Sequence, residues 1–292
     1  MLPLLCYDVI FKALFINQEN ILAKMIADIT GMDYKLLEDN IVMITNEIPI
    51  DNKDEKFKRC DFILRMNNNN IINLELNRQS HSGLIVKNLV YLFQLFSASF
   101  KKGDEYDSEL VIMQININCF MNNIGITKPI NKYKILDEDG KSYTDNVVIY
   151  DLNVVKCHEL YYNNSSEKVP NYVRWGAFIY CDDFLKVPDI VKGIMTKKEI
   201  EVIMDKINKI TNDDLFMTKA EMLHWEEWEK NTLYNDGKKE GFNDGKEQGI
   251  EQGIEQMVYL TIKNMIKEKF TLEDISKVTG KSIDDIKKYI EE

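Results

Sequence analysis

The chain has 292 residues, 45% hydrophobic and 29% charged, with 13 glycines and 5 prolines, which excludes fibrous and disordered classes and predicts one large core, or one core plus a small appendage. Its 37 basic and 48 acidic residues leave a formal net charge of -11, so the protein as a whole is no general polyanion binder, and contact with nucleic acid needs a local basic face or bridging metal ions. The 5 cysteines (Cys6, Cys60, Cys119, Cys157, Cys181) are odd in number and scattered without a C-x-x-C pair, which argues against a disulfide framework or thiolate zinc site and for a reducing cytoplasm. Asp8 and Lys12 interrupt the apolar start, and no uncharged apolar run reaches about 18 residues, so neither a secretory leader nor a membrane span is expected.

Residues 8–29 repeat Val9, Phe11, Leu14, Phe15, Ile21, Leu22, Met25, Ile26 and Ile29 mostly at intervals of three and four, which predicts a core-facing helix stopped by Gly31. Residues 41–48, 60–66 and 71–77 read as strands, and Asn67, Asn68, Asn69 and Asn70 suit a hairpin loop between the last two. Helical spacing returns over 82–102 and ends at Gly103, and 110–117 is an apolar strand. The order is α-β-β-β-α-β, an α/β core over residues 1–165.

Beyond Phe120 the pattern weakens. Residues 146–151 and 154–160 read as strands, 172–185 and 197–210 as helices, and 213–235, with Trp225 and Trp228, as an amphipathic helix, giving a mainly helical extension over 166–235. In a connector over 236–256, glycine returns at Gly237, Gly241, Gly245, Gly249 and Gly253. On a helix such a row drifts by about 40° per step, and each glycine costs about 1 kcal/mol relative to alanine. Two readings stand: a mobile, partly helical connector, or a close helix–helix contact joining two subunits as a homodimer. Within the terminal segment 257–292, residues 272–278 and 282–290 flank Thr279-Gly280-Lys281 with the spacing of a helix-turn-helix. The second helix carries Asp284 and Asp285 beside Lys287 and Lys288, so a hairpin that packs on a partner is the rival to one that reads DNA.

Three polar residues sit at the edge of apolar strands: Asp61 opens D-F-I-L, Glu75 interrupts I-N-L-E-L, and Asn77 follows it. Residues 75 and 77 are i and i+2, so both side chains leave the same strand face. Asp61 comes near them if the two strands pair. Two carboxylates held together repel unless a cation lies between them, and oxygen donors without His or Cys favour Mg²⁺ or Mn²⁺. The rival reading makes them solvated edge residues. Asp8 and Lys12, four apart, share one side of the first helix, as a surface ion pair or as part of the same site. His81 reads as a loop histidine, and no G-x-S-x-G, H-E-x-x-H, P-loop or G-x-G-x-x-G pattern appears.

The element order, with Asp on the second strand and Glu-x-polar on the third, resembles the PD-(D/E)xK restriction-endonuclease-like core, here with a helical C-terminal extension. Asp8-Val-Ile-Phe11-Lys12-Ala-Leu-Phe15, the Asp61 strand, Asn73-Leu-Glu75-Leu-Asn77 and Lys87-x-x-x-Tyr91, then Lys102-Gly103-Asp104-Glu105-Tyr106, resemble the Rpn family of recombination-promoting nucleases, also described as transposases. The likeness covers roughly residues 7–160, and the glycine-periodic tail with its terminal hairpin is typical of that family too. It implies a cytoplasmic, metal-dependent DNA endonuclease linked to recombination, mobile elements or phage defence. Asp61, Glu75 and Asp8 would hold Mg²⁺ or Mn²⁺, and Lys12, Arg78 and Lys87 would contact DNA. In the family the residue two beyond the glutamate is usually Gln, and in the superfamily Lys. Asn77 is uncharged and shorter; it hydrogen-bonds water but lends no positive charge. Gln79, on the same face if the strand continues, and Lys12 or Lys87 are its stand-ins. The alternative implication is a catalytically weakened relative that binds DNA or protein.

Overall fold

The computed structural model describes residues 3–47, 59–66, 70–100, 103, 105–106, 109–121, 128–164 and 168–291, without the side chains of 44–47, 59–60, 223–236 and 289–291. Most of the expected Asn67–Asn70 hairpin loop lies outside these residues, as do Lys102 and Asp104. The chain divides into two compact units, Met1–Glu221 and Met222–Glu292.

In the first unit six strands form one mixed sheet: β1 (Ile41–Glu47), β2 (Arg59–Met66), β3 (Ile71–Asn77), β4 (Ile112–Asn118), β5 (Ile130–Leu136) and β6 (Ser142–Asn153), in spatial order β1-β2-β3-β4-β6-β5. The first three are antiparallel neighbours, β3, β4 and β6 are parallel, and β5 returns antiparallel on β6. Parallel strands are covered on both faces, and every residue of β3 and β4 is buried. One face contributes Phe62, Leu64, Leu74, Ile115, Ile117 and Leu152 to the main core, shared with α1 (Asp8–Phe15) and α2 (Glu19–Thr30). The same core takes in α5 (Val154–Asn163), α6 (Asn171–Ile179), α7 (Val187–Val191) and α8 (Lys197–Thr211), while α3 (Tyr34–Glu38) adds Leu37. The other face places Ile63, Ile71, Ile112 and Val147 under Leu92 and Leu95 of α4 (Leu84–Ala98). The result is a sheet between helical layers, an α/β architecture of the PD-(D/E)xK nuclease type.

Two local expectations give way, and one strand was not expected. The helix over 8–29 is two, because Asn17 adopts φ 57, a left-handed conformation that asparagine tolerates, between α1 and α2. Gly31, at φ 79, ends α2 as its position predicts. Residues 154–160 are helical rather than extended: Asn153 accepts a hydrogen bond from the Lys156 backbone N–H and caps α5, which then buries Val154, Cys157 and Tyr161 at helical spacing. Strand β5 went unforeseen because its side chains are half-buried or exposed, and Lys132 and Lys134 mark it as a protected edge.

The second unit holds most of α9 (Asp214–Lys267), with α10 (Leu272–Thr279) and α11 (Ile283–Glu291). Its small core is Ile262, Ile275 and Ile286, and Gly280, at φ 68, turns the chain after α10. The helix α9 runs on through the glycine row, and a Cβ added at Gly237, Gly241, Gly245, Gly249 or Gly253 would meet nothing within 4 Å. No helix among the described residues is long and apolar enough to cross a membrane.

Two features of the first unit generate tests of stability. A Cβ on Gly176 of α6 would lie 2.4 Å from Cys157 Cβ and 2.6 Å from its Sγ on α5, so the two helices approach at a distance only glycine permits. Gly176→Ala is expected to lose about 1–3 kcal/mol in urea unfolding, with Cys157→Gly in the same chain recovering part of it. At the start of α8, Thr196 and Glu199 form a capping box, and Lys24 of α2 lies 2.6 Å from Glu199 Oε2. Burial alone raises the Glu199 carboxyl, but hydrogen bonds from Lys24 and Thr196 outweigh it and hold the group below its usual value. A carboxyl depressed in the folded state contributes stability above its unfolded pKa and loses it as pH falls through the folded value. Glu199→Gln should therefore cost about 1 kcal/mol at neutral pH, with the gap to wild type closing below about pH 4, as urea titrations at both pH values would show.

Candidate active site

The β2–β3 ladder pairs Arg65 with Ile71 and continues to Phe62 with Leu74. There side chains take over from backbone. The Leu76 N–H donates to Asp61 Oδ2 at 2.6 Å, and the Asp61 N–H donates to Glu75 Oε1 at 3.2 Å. Each carboxylate thus satisfies a backbone donor of the opposite strand. On its far side β3 stays in register with parallel β4 as far as Asn77 opposite Asn118. Asp61 and Glu75 are consequently only 7% and 2% exposed, and the sequence expectation that the two strands bring them together holds.

Flanking helices supply the positive charge. In α1, Phe11 packs on Phe62 with ring centroids 5.9 Å apart, and the next residue, Lys12, places its Nζ 2.8 Å from Asp61 Oδ1 and 2.9 Å from Asp8 Oδ1. In the first turn of α4, Lys87 Nζ lies 3.5 Å from Glu75 Oε2 and 5.2 Å from the Tyr91 ring centre. Asp8 also shares a hydrogen bond with Asp61. Burial, that hydrogen bond and the charges of Glu75 and Asp8 push the Asp61 carboxyl well above the ordinary aspartate range, against the pull of Lys12. Asp8 goes the other way: burial raises it, but Asp61 and the two lysines bring it below its usual value. The Lys12 ammonium is opposed by burial, yet Asp61 and Asp8 raise its pKa. Three carboxyl groups thus crowd two ammoniums, and a proton shared between Asp61 and Asp8 relieves their repulsion.

Asn77 is 3% exposed and donates from Nδ2 to Asn118 Oδ1 at 3.0 Å, while its Oδ1 has no hydrogen-bond partner among the described residues. Arg78, the next residue, sets its guanidinium 5.6 Å from the Tyr7 ring centre. Strand β3 ends at Asn77, so Gln79 lies two residues past it at a bend, and strand alternation does not carry Gln79 onto the Glu75 face. Asp8, Lys12, Asp61, Glu75 and Lys87 are thus joined in one network, with Asn77 next to it on β3 and Arg78 and Gln79 beyond the strand end.

Sequence reasoning missed the polar row beside them. Asn73 Nδ2 donates to Gln114 Oε1 at 2.7 Å, Gln114 Nε2 to Asn116 Oδ1 at 2.8 Å, and Asn116 Nδ2 to Asp151 Oδ1 at 2.7 Å. The Tyr133 hydroxyl also bonds Asp151, whose carboxyl is raised by burial in spite of both bonds. The signal was present: Gln114-Ile-Asn116-Ile-Asn118 repeats the polar-apolar alternation of Asn73-Leu-Glu75-Leu-Asn77, and the two strands align residue for residue.

No group of three or more His, Cys, Asp and Glu side chains among the described residues is arranged to hold a metal ion. The donors that do meet are oxygens: two buried carboxylates, and beside them on β3 the unpartnered Oδ1 of Asn77. Such a set fits a hard divalent cation rather than Zn²⁺. The ladder bonds can be tested apart from any chemistry. Asp61→Ala strands the Leu76 N–H without an acceptor and should lose about 1–3 kcal/mol in urea unfolding, whereas Asp61→Asn keeps an oxygen there and should stay within about 1 kcal/mol of wild type.

No curated protein and no solved structure matches the chain. The family model described as PD-(D/E)XK nuclease family transposase matches residues 5–236, a span that contains all six strands, α1, α4 and both carboxylates. With that match over most of its length, and with the sheet and site described above, the chain belongs to the PD-(D/E)XK nuclease family transposases.

Proposed function

We propose that the chain is a divalent-cation-dependent endonuclease that hydrolyses phosphodiester bonds of DNA, with Asp61 and Glu75 as ligands to Mg²⁺ or Mn²⁺. The observation that carries this reading is the pair of buried carboxylates, set side by side where the β2–β3 ladder ends, with a lysine beside each. When bound there, such a cation would polarise a phosphate oxygen and acidify a water molecule. The chain's own residues do the rest. Asp61 and Glu75 stay fixed because each also holds a backbone N–H, so their oxygens need no reorganisation on binding. Lys12 and Lys87 neutralise the carboxylates in the free protein and would be free to contact phosphate oxygens of DNA were a cation held there. Arg78 adds a phosphate contact at the end of β3, and Asp8 keeps Lys12 directed at the site. Asn77 brings a neutral carboxamide to the same strand face as Glu75. A chain of net charge -11 needs local positive charge of this kind to approach DNA.

A second reading, a weakened relative that binds DNA or a protein partner without cutting, is favoured by Asn77, which carries no charge where the superfamily usually has lysine. We place the reaction in the cytoplasm, in the service of recombination, element mobility or phage defence, and we place the contact of a homodimer on the open glycine row of α9.

Nicking of supercoiled plasmid separates the readings. Wild type should nick with Mg²⁺ or Mn²⁺, stop on addition of EDTA, and lose at least about 100-fold in rate in the Asp61→Asn, Glu75→Gln double variant, whose ladder acceptors are retained. Undiminished cleavage by that variant overturns the assignment of the site. No cleavage by wild type in either metal, with DNA still bound in a filter assay, selects the binding module.

A further inference from the structure

The orientation of Asn77 has a cause outside the family's motif. Its backbone lies in the β3–β4 register opposite Asn118, and its side-chain Nδ2 donates to Asn118 Oδ1 at 3.0 Å. A carboxamide is planar, with N and O diverging from one carbon, so a nitrogen committed to β4 sends the oxygen away from β4. That oxygen is buried, in a residue only 3% exposed, and has no hydrogen-bond partner among the described residues. An orphaned buried acceptor costs about 1–3 kcal/mol, and its persistence calls for an occupant that the protein itself does not supply. Asn77 leaves β3 on the same face as Glu75, two residues on, so its carboxamide shares that face with the acidic pair. The pattern repeats four residues back along the strands, where Asn73 Nδ2 is held by Gln114 Oε1 and Asn73 Oδ1 is left over.

We propose that Asn118 is a positioning residue: by accepting the Asn77 amide hydrogen it fixes Asn77 with its oxygen toward the Asp61–Glu75 site, where that oxygen is a neutral third donor to the divalent cation. Asn77 then acts as a ligand and not as a short substitute for a charged or donating side chain. The inference rests on the cation-dependent reading above. A neutral amide oxygen adds a donor without adding repulsion to a cluster in which carboxyl groups already crowd one another.

The test uses the full chain and Mn²⁺ alone, titrated by calorimetry, with thermal unfolding followed on the same samples. Asn118→Leu should weaken Mn²⁺ binding about 10-fold, Asn77→Leu by at least as much, and the double variant no more than Asn77→Leu alone, because Asn118 acts only through Asn77. Wild-type affinity in Asn118→Leu overturns the proposal, as do losses that multiply in the double variant. Should Asn118→Leu fail to fold, Asn118→Asp retains the acceptor and must bind Mn²⁺ at least as tightly as wild type; weaker binding overturns the proposal. Two results sink the parent reading as well: no Mn²⁺ binding by wild type, or undiminished binding by Asp61→Asn. If wild type binds and Asp61→Asn does not, failure of the Asn118 arm counts against this inference alone.

Discussion

The crossed pair of hydrogen bonds at the end of the β2–β3 ladder, from the Leu76 N–H to Asp61 and from the Asp61 N–H to Glu75, is the constraint on which the site depends. Beyond Phe62 and Leu74 the two strands no longer pair backbone to backbone, and the separation makes room for two carboxyl groups. Buried N–H groups need acceptors. The carboxylates supply them, and in doing so they are brought together against their own repulsion. Everything charged nearby answers to that decision: Lys12 reaches in from α1, Lys87 from α4, and Asp8 and Asp61 share a hydrogen bond with their titration drawn in opposite directions.

The sheet gives this local arrangement its place. Strands β3, β4 and β6 are parallel, so their final residues fall on one edge, and ligands of open α/β sheets bind outside such carboxyl ends. On the α4 face, apolar rows at Ile71, Ile112 and Val147 give way toward that edge to Asn73 and Gln114, then to Glu75, Asn116 and Asp151, then to Asn77, Asn118 and Asn153. The face changes from a packing surface to a polar one within a few residues, while the opposite face remains core throughout.

Much of this was legible in the amino-acid pattern, and the failures have physical causes. The first three strands, α4 and β4 came from alternation and helical spacing, because each buries at least one continuous face. Asp61, Glu75 and Asn77 stood out as polar residues in apolar strands, where their cost is highest. The break at Asn17 was hidden because one left-handed residue does not disturb apolar spacing on either side. The Val154-Val155 start of α5 looked extended because β-branched residues favour strands, and the Asn153 cap outweighed that preference. Strand β5 buries too little to leave a pattern. The Asn118 contact depends on parallel register across 41 residues of chain, which no local period encodes.

The two acids close a backbone ladder whether or not they ever touch a phosphate, and this bears on how sequences of this kind diverge. A descendant that ceased to hydrolyse anything would still be held to an oxygen acceptor at positions 61 and 75, since losing either opens the end of the sheet. Position 77 carries no such duty toward β2, because among the described residues its side chain bonds to another side chain, Asn118 of β4. Drift is therefore freer at that position, and an intact acidic pair records the ancestry of the sheet rather than its activity.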